Sequence, residues 1–399
     1  MIVSQLKVSA DTGEWVTKAS TPTEGGFGET IVGIGNSIYA VRAYSVGNCY
    51  FWKYDPTSDS WTTLFDWTPD NPIPRPKSGT AFTWDHGDNI YALLGGAYND
   101  TDRRYFYRYT ISTDSWSRLA DTPHTQGAGD AITWSTYDGR IYALLGSNGH
   151  GSAFACYNSN QNIWETLNLN NWITDDGASL VSTGGEYLYA FRGEWEETVP
   201  HNDFVRYHIP SGNWETLTPM PVPTNEGVGD GASLLWIGNW MSSYSDYIYA
   251  LEGGSVLENP RNGFYSYSIS ANNWIALTSV SYPVGNYTGN RLGFANNHIY
   301  YWQGTPSNSF GNGVTFQMFN MPTVSTTTTI VQTTTTTSLT STTHVTTSTM
   351  TTTTYQSTTN TINPPSSQAS YGVVFLILIV PLILVPAAGA AVVLQRRRT

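Results

Sequence analysis

The sequence has few charged side chains, only two cysteines and no acidic residue beyond Glu258. Charged residues make up 12% of the 399 positions, whereas aromatic residues make up 14%. That balance argues against disorder over most of the chain and against long, charge-rich amphipathic helices. The length exceeds one ordinary domain and suits one large repeat domain with appended segments.

The two cysteines, Cys49 and Cys156, belong to no Cys-x-x-Cys motif and to no Cys/His cluster. This excludes a metal knuckle, and no metal ligands are predicted among the cysteines or histidines. The repeat register of the chain puts the two cysteines on equivalent strands of different repeats. We therefore predict two buried free thiols and no disulfide.

Basic residues are scarce, and the last three of the 18 are Arg396, Arg397 and Arg398. The formal net charge is −12, so residues 1–322 carry 15 − 30 = −15. A domain this acidic repels phosphate backbones, which excludes nucleic acid as an expected partner.

Internal repetition is the dominant pattern of residues 1–322. An Ile-Tyr-Ala-like tripeptide recurs six times, at intervals of 47 to 60 residues, beginning at Ile38, Ile90, Ile141, Leu188, Ile248 and Ile299. Tryptophans recur in step at Trp15, Trp61, Trp116, Trp164, Trp214 and Trp274. In five copies a Tyr precedes the Trp by seven residues and a Phe precedes that Tyr by three. A period of about 50 residues predicts stacked supersecondary units that cannot bury their faces alone.

Each unit has four strand-like segments, which we name a, b, c and d. Strand b carries Ile-Tyr-Ala, strand c the Tyr and strand d the Trp, and a Pro- and Gly-rich crossover follows strand d. This pattern resembles the kelch repeat, whose second strand ends in Gly-Gly, as at Gly95-Gly96 and Gly253-Gly254. The resemblance implies an all-β fold: a kelch-type β-propeller with six blades of four antiparallel strands over residues 1–322.

The sequence leaves open how the ring closes. The segment around Trp15 is d-like, and it either completes the last blade or belongs to a further blade whose first strands lie upstream of Met1. The second alternative would also explain why the first 15 residues lack the basic and apolar regions of a signal peptide. The six-blade arrangement is the prediction adopted for this chain.

Two segments follow the repeats. Residues 323–370 begin with 23 threonines in 39 residues, and they predict a disordered stalk of the O-glycosylated type. Residues 371–394 contain no formal charge and are long enough for one transmembrane helix. The tail 395–399 contains three arginines, which by the positive-inside rule places it in the cytoplasm and the repeat domain outside. A glycolipid-anchor signal is the alternative, although its tail normally ends without basic residues.

Kelch-like propellers usually bind ligands at the mouth of the central channel, on the face formed by the d–a crossovers and b–c loops. In this sequence acidic or amide residues stand just before strand a in five crossovers. They are Glu29, Asp130, Asp176 with its neighbour Asp175, Asp230 and Asn290. Propeller symmetry would place them around one axis, where carboxylates hydrogen-bond sugar hydroxyls or attract a divalent cation. The alternative is that they only cap the turn that enters strand a.

One b–c loop combines Trp195 with acidic neighbours and His201, a composition that suits a carbohydrate site, although Trp195 could equally cover a blade edge. Two sequons, at Asn99 and Asn286, are candidate glycosylation sites. The insertion Trp236–Asp246 is expected to add a lip to one face of the propeller.

Two classes of function fit these features. The first is a cell-surface, membrane-anchored module that binds a glycan or a surface protein, and it needs no cofactor. The second is an extracellular carbohydrate-active enzyme, an oxidase or sugar isomerase on the kelch scaffold. No catalytic motif is recognised, and no copper-binding residue of a galactose-oxidase type can be matched.

Overall fold

The computed structural model describes residues 12–26, 28–43, 48–68, 71–96, 102–146, 151–170, 172–193, 201–222, 227–254, 261–281, 291–303 and 313–321, and the backbone of 325–337 and 349–361. Within these ranges the chain forms 26 β-strands and two short 3-10 turns, Ile111–Thr113 and Ser242–Tyr244.

Twenty-four strands form six four-stranded antiparallel sheets, the blades. Blade 1 contains β2 (Thr30–Ile34), β3 (Ser37–Arg42), β4 (Cys49–Asp55) and β5 (Ser60–Trp67). Blade 2 contains β6 (Thr80–Trp84), β7 (Asn89–Leu94), β8 (Phe106–Thr110) and β9 (Ser115–Arg118). Blade 3 contains β10 (Ala131–Ser135), β11 (Arg140–Leu145), β12 (Ala153–Asn158) and β13 (Ile163–Leu167).

Blade 4 contains β14 (Ser179–Ser182), β15 (Tyr187–Phe191), β16 (Phe204–His208) and β17 (Asn213–Thr216). Blade 5 contains β18 (Ser233–Trp236), β19 (Tyr247–Leu251), β20 (Phe264–Ser268) and β21 (Asn273–Ala276). Blade 6 contains β22 (Leu292–Ala295), β23 (His298–Trp302), β24 (Phe316–Asn320) and, from the other end of the chain, β1 (Glu14–Thr17).

The ring is closed by the N-terminal strand. β1 pairs antiparallel with β24, with Trp15 opposite Phe319, so β1 is strand d of blade 6. The first strands of neighbouring blades contact one another in an unbroken circle. The predicted all-β propeller with six blades of four antiparallel strands is confirmed.

The recurring aromatic residues form the cores between blades. Strand b is buried on both faces, as its continuous apolar sequence predicts, and the Ile of each Ile-Tyr-Ala copy is fully buried. Phe106 of strand c lies 4.9 Å, edge to face, from both Tyr157 and Trp164 of the next blade. The same three-ring contact joins Phe154 to Tyr207 and Trp214. Such aromatic contacts add to the stabilisation from buried area.

A repeated hydrogen bond joins each blade to the preceding one through the tryptophan of strand d. Trp164 Nε1 donates to the carbonyl oxygen of Ala120, four residues after the Trp of blade 2, over 3.0 Å. The equivalent bond, to the residue four after the preceding tryptophan, is made by Trp15, Trp61, Trp214 and Trp274. The tryptophans thus link blades by polar contacts as well as by packing.

The turn between strands c and d contributes a second link. Two residues before every tryptophan the backbone has a positive φ, and only residues that tolerate this conformation stand there: Gly13, Asp59, Asp114, Asn162, Gly212 and Asn272. Asn162 Oδ1 accepts hydrogen bonds from Tyr157 and from the backbone N of Ala120. The next blade therefore binds both the N–H of Ala120, through Asn162, and its C=O, through Trp164.

The junction between blades 1 and 2 lacks these links. β5 is eight residues long and contains a register shift opposite Phe51 and Trp52, which displaces the chain after it. Trp116 Nε1 is buried there without a hydrogen-bond partner among the described residues. The indole ring instead packs against Trp67, with centroids 5.6 Å apart. At this junction the strand-d tryptophan therefore contributes through packing.

Glycines allow the crossovers to touch around the channel. Gly79 of blade 2 has φ +74°, and a side chain there would collide with the carbonyl oxygen of Gly127 in blade 3. A side chain at Gly129 would likewise collide with the backbone of Asp175 in blade 4. The crossovers therefore meet backbone to backbone, which narrows the channel at this face.

Cys49 and Cys156 are both buried and free, as predicted. They lie on β4 and β12, which are the c strands of blades 1 and 3. Burial raises the pKa of the Cys156 thiol above its ordinary value. Neither thiol is suited to redox chemistry at neutral pH.

The threonine-rich segment, for which the sequence predicts a disordered stalk, contains two β-strands among the described residues. β25 (Ser325–Thr337) and β26 (Thr349–Thr361) pair as an antiparallel hairpin. β-branched side chains favour extended backbone, a local preference that the lack of a hydrophobic core does not remove. No helix among the described residues is long and apolar enough to cross a membrane. The predicted span, residues 371–394, and the tail lie outside those residues.

The tryptophan hydrogen bonds predict a difference between two equivalent substitutions. W164F should destabilise the propeller by about 1 kcal/mol more than W116F, because only Trp164 donates a hydrogen bond that is lost. Chemical denaturation of the full chain in detergent would measure both. Equal losses would show that the repeated bond contributes nothing to stability.

Candidate functional site

The channel-mouth face is the face at which every strand a begins and every strand b ends. It is formed by the d–a crossovers and the b–c loops, and it carries the acidic residues predicted as a site. Glu29, Asp130 and Asp230 are buried there, whereas Asp175 and Asp176 are half-buried. Asn290 and Trp195, and the sequons at Asn99 and Asn286, lie outside the described residues.

The Asp130 carboxylate mainly accepts hydrogen bonds from the backbone. Its Oδ1 accepts hydrogen bonds from Gly127 N at 3.1 Å and from Gly146 N at 2.8 Å. The first bond closes the crossover turn, and the second joins that turn to the end of strand b. Burial raises the pKa of Asp130 well above its usual range. At this position the turn-capping interpretation of the sequence describes the side chain better than the ligand-binding one.

Glu29 belongs to a buried ion pair between the first and last blades. Its Oε2 lies 3.4 Å from Arg291 Nη2, and the two side chains are 0% and 1% exposed. Glu29 Oε1 accepts the backbone N–H of Gly26, and Arg291 also donates to the carbonyl oxygens of Trp302 and Gln303. Burial raises the pKa of Glu29 to about 7, although the Arg291 guanidinium opposes the rise.

Electrostatic coupling shows which of these groups lie close together. The charge of Asp230 opposes the lowering of the Arg291 pKa, and Arg291 pairs with Glu29, so groups of blades 5, 6 and 1 lie close together. The charges of Arg103 and Asp175 shift the pKa of Asp130, so groups of blades 2, 3 and 4 also lie close together. Arginines are therefore interleaved with the predicted acids in both of these groups. The site is a mixed network of charges, not a ring of carboxylates alone.

The arginines of this network were missed in the sequence. Arg103 donates to the carbonyl oxygens of Gly95, Arg75 and Leu94, and Arg261 donates to that of Gly227. Both stand three residues before the Phe of strand c, in the b–c loop of their blade. His201 has the same offset in blade 4. The repeat register could have identified all three as equivalent positions.

The most accessible polar cluster of this face belongs to blade 4. Arg192 Nη2 lies 2.7 Å from Asp203 Oδ2 and 2.9 Å from His201 Nδ1. The Arg192 guanidinium also lies over the Trp172 ring, 5.6 Å from its centroid. The carbonyl of Arg192 accepts the backbone N–H of Asp175. The structure therefore brings His201 close to the predicted acids of the neighbouring crossover.

Charge in this cluster is nearly balanced. Burial and the adjacent Arg192 lower the pKa of His201, so the imidazole is neutral at pH 7. Because its Nδ1 accepts from Arg192, Nε2 carries the proton and can donate it to a ligand. Asp203 offsets the charge of Arg192. The cluster presents donors and acceptors with little net charge.

Among the described residues no three His, Cys, Asp or Glu side chains are arranged to hold a metal ion. The insertion predicted as a lip, Trp236–Asp246, connects β18 to β19 and so lies on the opposite face. The insertion therefore takes no part in the channel-mouth site.

No protein-family model and no curated protein matches the chain. Solved structures do match, 696 chains in all. One of them, titled "Structure of YjhT", aligns with a TM-score of 0.54 and 14% identity, over 75% of this chain and 95% of that one. At this identity the likeness shows the fold alone, a β-propeller.

The raised pKa of Glu29 predicts how stability depends on pH. Between the ordinary value of 4.5 and about 7, the folded state holds a proton that the unfolded state has released. The contribution of Glu29 to stability should therefore be greatest below pH 4.5 and fall as pH rises to 7, by at most about 3 kcal/mol. Denaturation of the full chain across this range would show the slope, and E29Q should reduce it, leaving the part that Asp130 contributes with the same sign. An unchanged slope in E29Q would assign it to another group.

Proposed function

We propose that this protein is a cell-surface binding module of the kelch-like type, which holds a neutral glycan at its channel-mouth face. One observation carries the proposal: the half-buried cluster of Arg192, His201 and Asp203, beside Asp175 and Asp176, on the face where kelch-like propellers meet ligands.

The chemistry of the cluster suits sugar hydroxyl groups. The neutral imidazole, the half-buried carboxylates and the arginine paired with Asp203 offer directed hydrogen-bond donors and acceptors. Trp195 stands in the same b–c loop of the sequence, between strands β15 and β16. An aromatic ring there would supply a stacking surface for the apolar face of a sugar.

The path of the chain supports an outward-facing site. β24 runs from the b–c side to the c–d side, so the chain leaves the propeller at Met321 on the face opposite the cluster. A tether that begins there leaves the channel-mouth face free to meet a ligand. We propose that residues 323–370 form this tether and that residues 371–394 anchor it in the cell membrane as a single helix.

An enzymatic function is the second candidate, and one observation favours it. Burial raises the pKa of both Glu29 and Asp130, and such carboxyl groups can act as general acids near neutral pH. Both are almost fully buried, however, and both hold backbone or arginine partners. Their contacts favour a structural role over catalysis.

Substitutions in the cluster should weaken glycan binding without unfolding the propeller. We expect H201A and D176N each to lower affinity on a glycan array at least tenfold, because each removes a directed hydrogen bond. H208A is the matched control, since His208 is similarly half-exposed but ends β16 on the opposite face. Equal affinity in H201A, D176N and H208A would exclude the cluster as the site. Release of an altered sugar during incubation would favour the enzyme.

The membrane anchor predicts a simple cell experiment. Protease added to intact cells should release the propeller as a soluble fragment, because the tether would be exposed outside the membrane. A stop codon at Tyr371 should send the same domain into the medium without protease. If the propeller is protected in intact cells and cut only after lysis, the proposed topology is wrong.

A further inference from the structure

The opposite end of the central channel contains a cavity of about 100 Å³. Residues from the first strand of all six blades line it, at the face where the a–b turns lie. The cavity is thus separate from the cluster on blade 4, and a ligand bound in it would be independent of the proposed glycan site.

The insertion of blade 5 covers this end of the channel. In the other blades two or four residues join strand a to strand b, whereas ten residues, 237–246, do so in blade 5. The insertion is fixed by Ile237, which is fully buried, and it includes the 3-10 turn Ser242–Tyr244. A long connection in one blade only, at the channel end, indicates a dedicated cover.

Trp240 of the insertion reaches the far side of the ring. Its ring is nearly parallel to that of Trp84, with centroids 6.4 Å apart, and it lies 5.5 Å from the ring of His86. Trp84 and His86 belong to blade 2, which is opposite blade 5 in a ring of six. Trp240 also packs against Phe294 of blade 6. The expected lip is therefore a cap that crosses the channel.

Four residues with hydroxyl groups line the cavity beneath the cap, Thr83, Thr133, Thr136 and Ser182, and three of these hydroxyls accept a backbone N–H. Thr83 Oγ1 accepts the backbone N–H of Trp134, and Thr133 Oγ1 accepts that of Ser182. Ser182 Oγ accepts that of Gly184. None of the three hydroxyl protons has an acceptor among the described residues, so each can be donated to a bound molecule.

The remaining lining is mostly apolar, with aliphatic as well as aromatic side chains, and it includes the polar side chains of His86 and Asn239. Trp84, Trp134 and Trp236 contribute rings, and no Asp, Glu, Lys or Arg among the described residues lines the cavity. Hydroxyl donors beside aromatic faces suit a ligand with oxygen acceptors and an apolar face, and the lack of charge disfavours ions. The volume is smaller than the roughly 150 Å³ cavity that admits benzene, so only a short molecule fits beneath the cap.

We propose that this end of the channel binds a small neutral polyol and that Trp240 gates it. A molecule of two or three carbons fits beneath the closed cap, whereas a hexose ring requires Trp240 to move aside. The hydroxyls of Thr83 and Thr133 would donate to the polyol oxygens, and Trp84 would contact its carbon chain.

Saturation-transfer NMR on the full chain in detergent tests the site, with glycerol and glucose as probes. We expect transfer to glycerol and little to glucose in the natural protein. The double variant T83V/T133V should weaken glycerol binding at least tenfold, whereas T83S/T133S, which retains both hydroxyls, should bind within about twofold of the natural protein. W240A should raise transfer to glucose at least fivefold by opening the cap.

Two results would overturn the proposal. One is the absence of transfer to either polyol with the folded protein, which would mean that the cavity holds water only. The other is an unchanged ratio of glycerol to glucose signal in W240A. This second readout also decides the question if T83V/T133V does not fold, because Trp240 lies outside the strands of the ring.

Discussion

The structure depends on how five of the six blades bind the residue that stands four positions after the preceding strand-d tryptophan. In blade 2 that residue is Ala120, whose N–H is bound by Asn162 and whose carbonyl is bound by Trp164. Strands within a blade are joined by ordinary β-sheet hydrogen bonds, whereas neighbouring blades meet through side chains, turns and contacts between their first strands. The repeated clamp adds directed bonds to the aromatic packing and so fixes the angle between neighbouring sheets.

Because the angles between the blades are fixed, the residues at both ends of the channel are positioned as well. At the mouth, crossovers touch at Gly79 and Gly129, and buried charged groups tie them to the strands behind. Among the described residues, blade 4 presents its charged groups there in a half-exposed form. At the other end, strand a leaves room for a cavity that the blade 5 insertion covers. One scaffold therefore presents two chemically different surfaces, one polar and one aromatic.

The repeats made the fold predictable from the sequence, whereas the burial and pairing of the site residues could not be predicted from it. The offsets among Phe, Tyr and Trp in each copy predict strands b, c and d, and Trp15 identifies β1 as a d strand. The burial of Glu29 and Asp130 was not predictable, because it depends on crossovers of different blades meeting at glycines. Arg291 was overlooked since its partner Glu29 lies 262 residues away in sequence and one blade away in space. The face on which the insertion lies can be inferred from the strand order. The insertion connects strand a to strand b, and all such connections lie at the channel end opposite the mouth.

The position of β1 also affects how the propeller carries mechanical load. The chain continues from β24, and β24 lies between β23 and β1 rather than at the edge of its sheet. Tension applied beyond Met321 therefore acts on two hydrogen-bonded ladders at once and shears them along their length. An edge strand would instead peel away one bond at a time. With the proposed tether pulling at that end, the strand that closes the ring would also give the domain resistance to load.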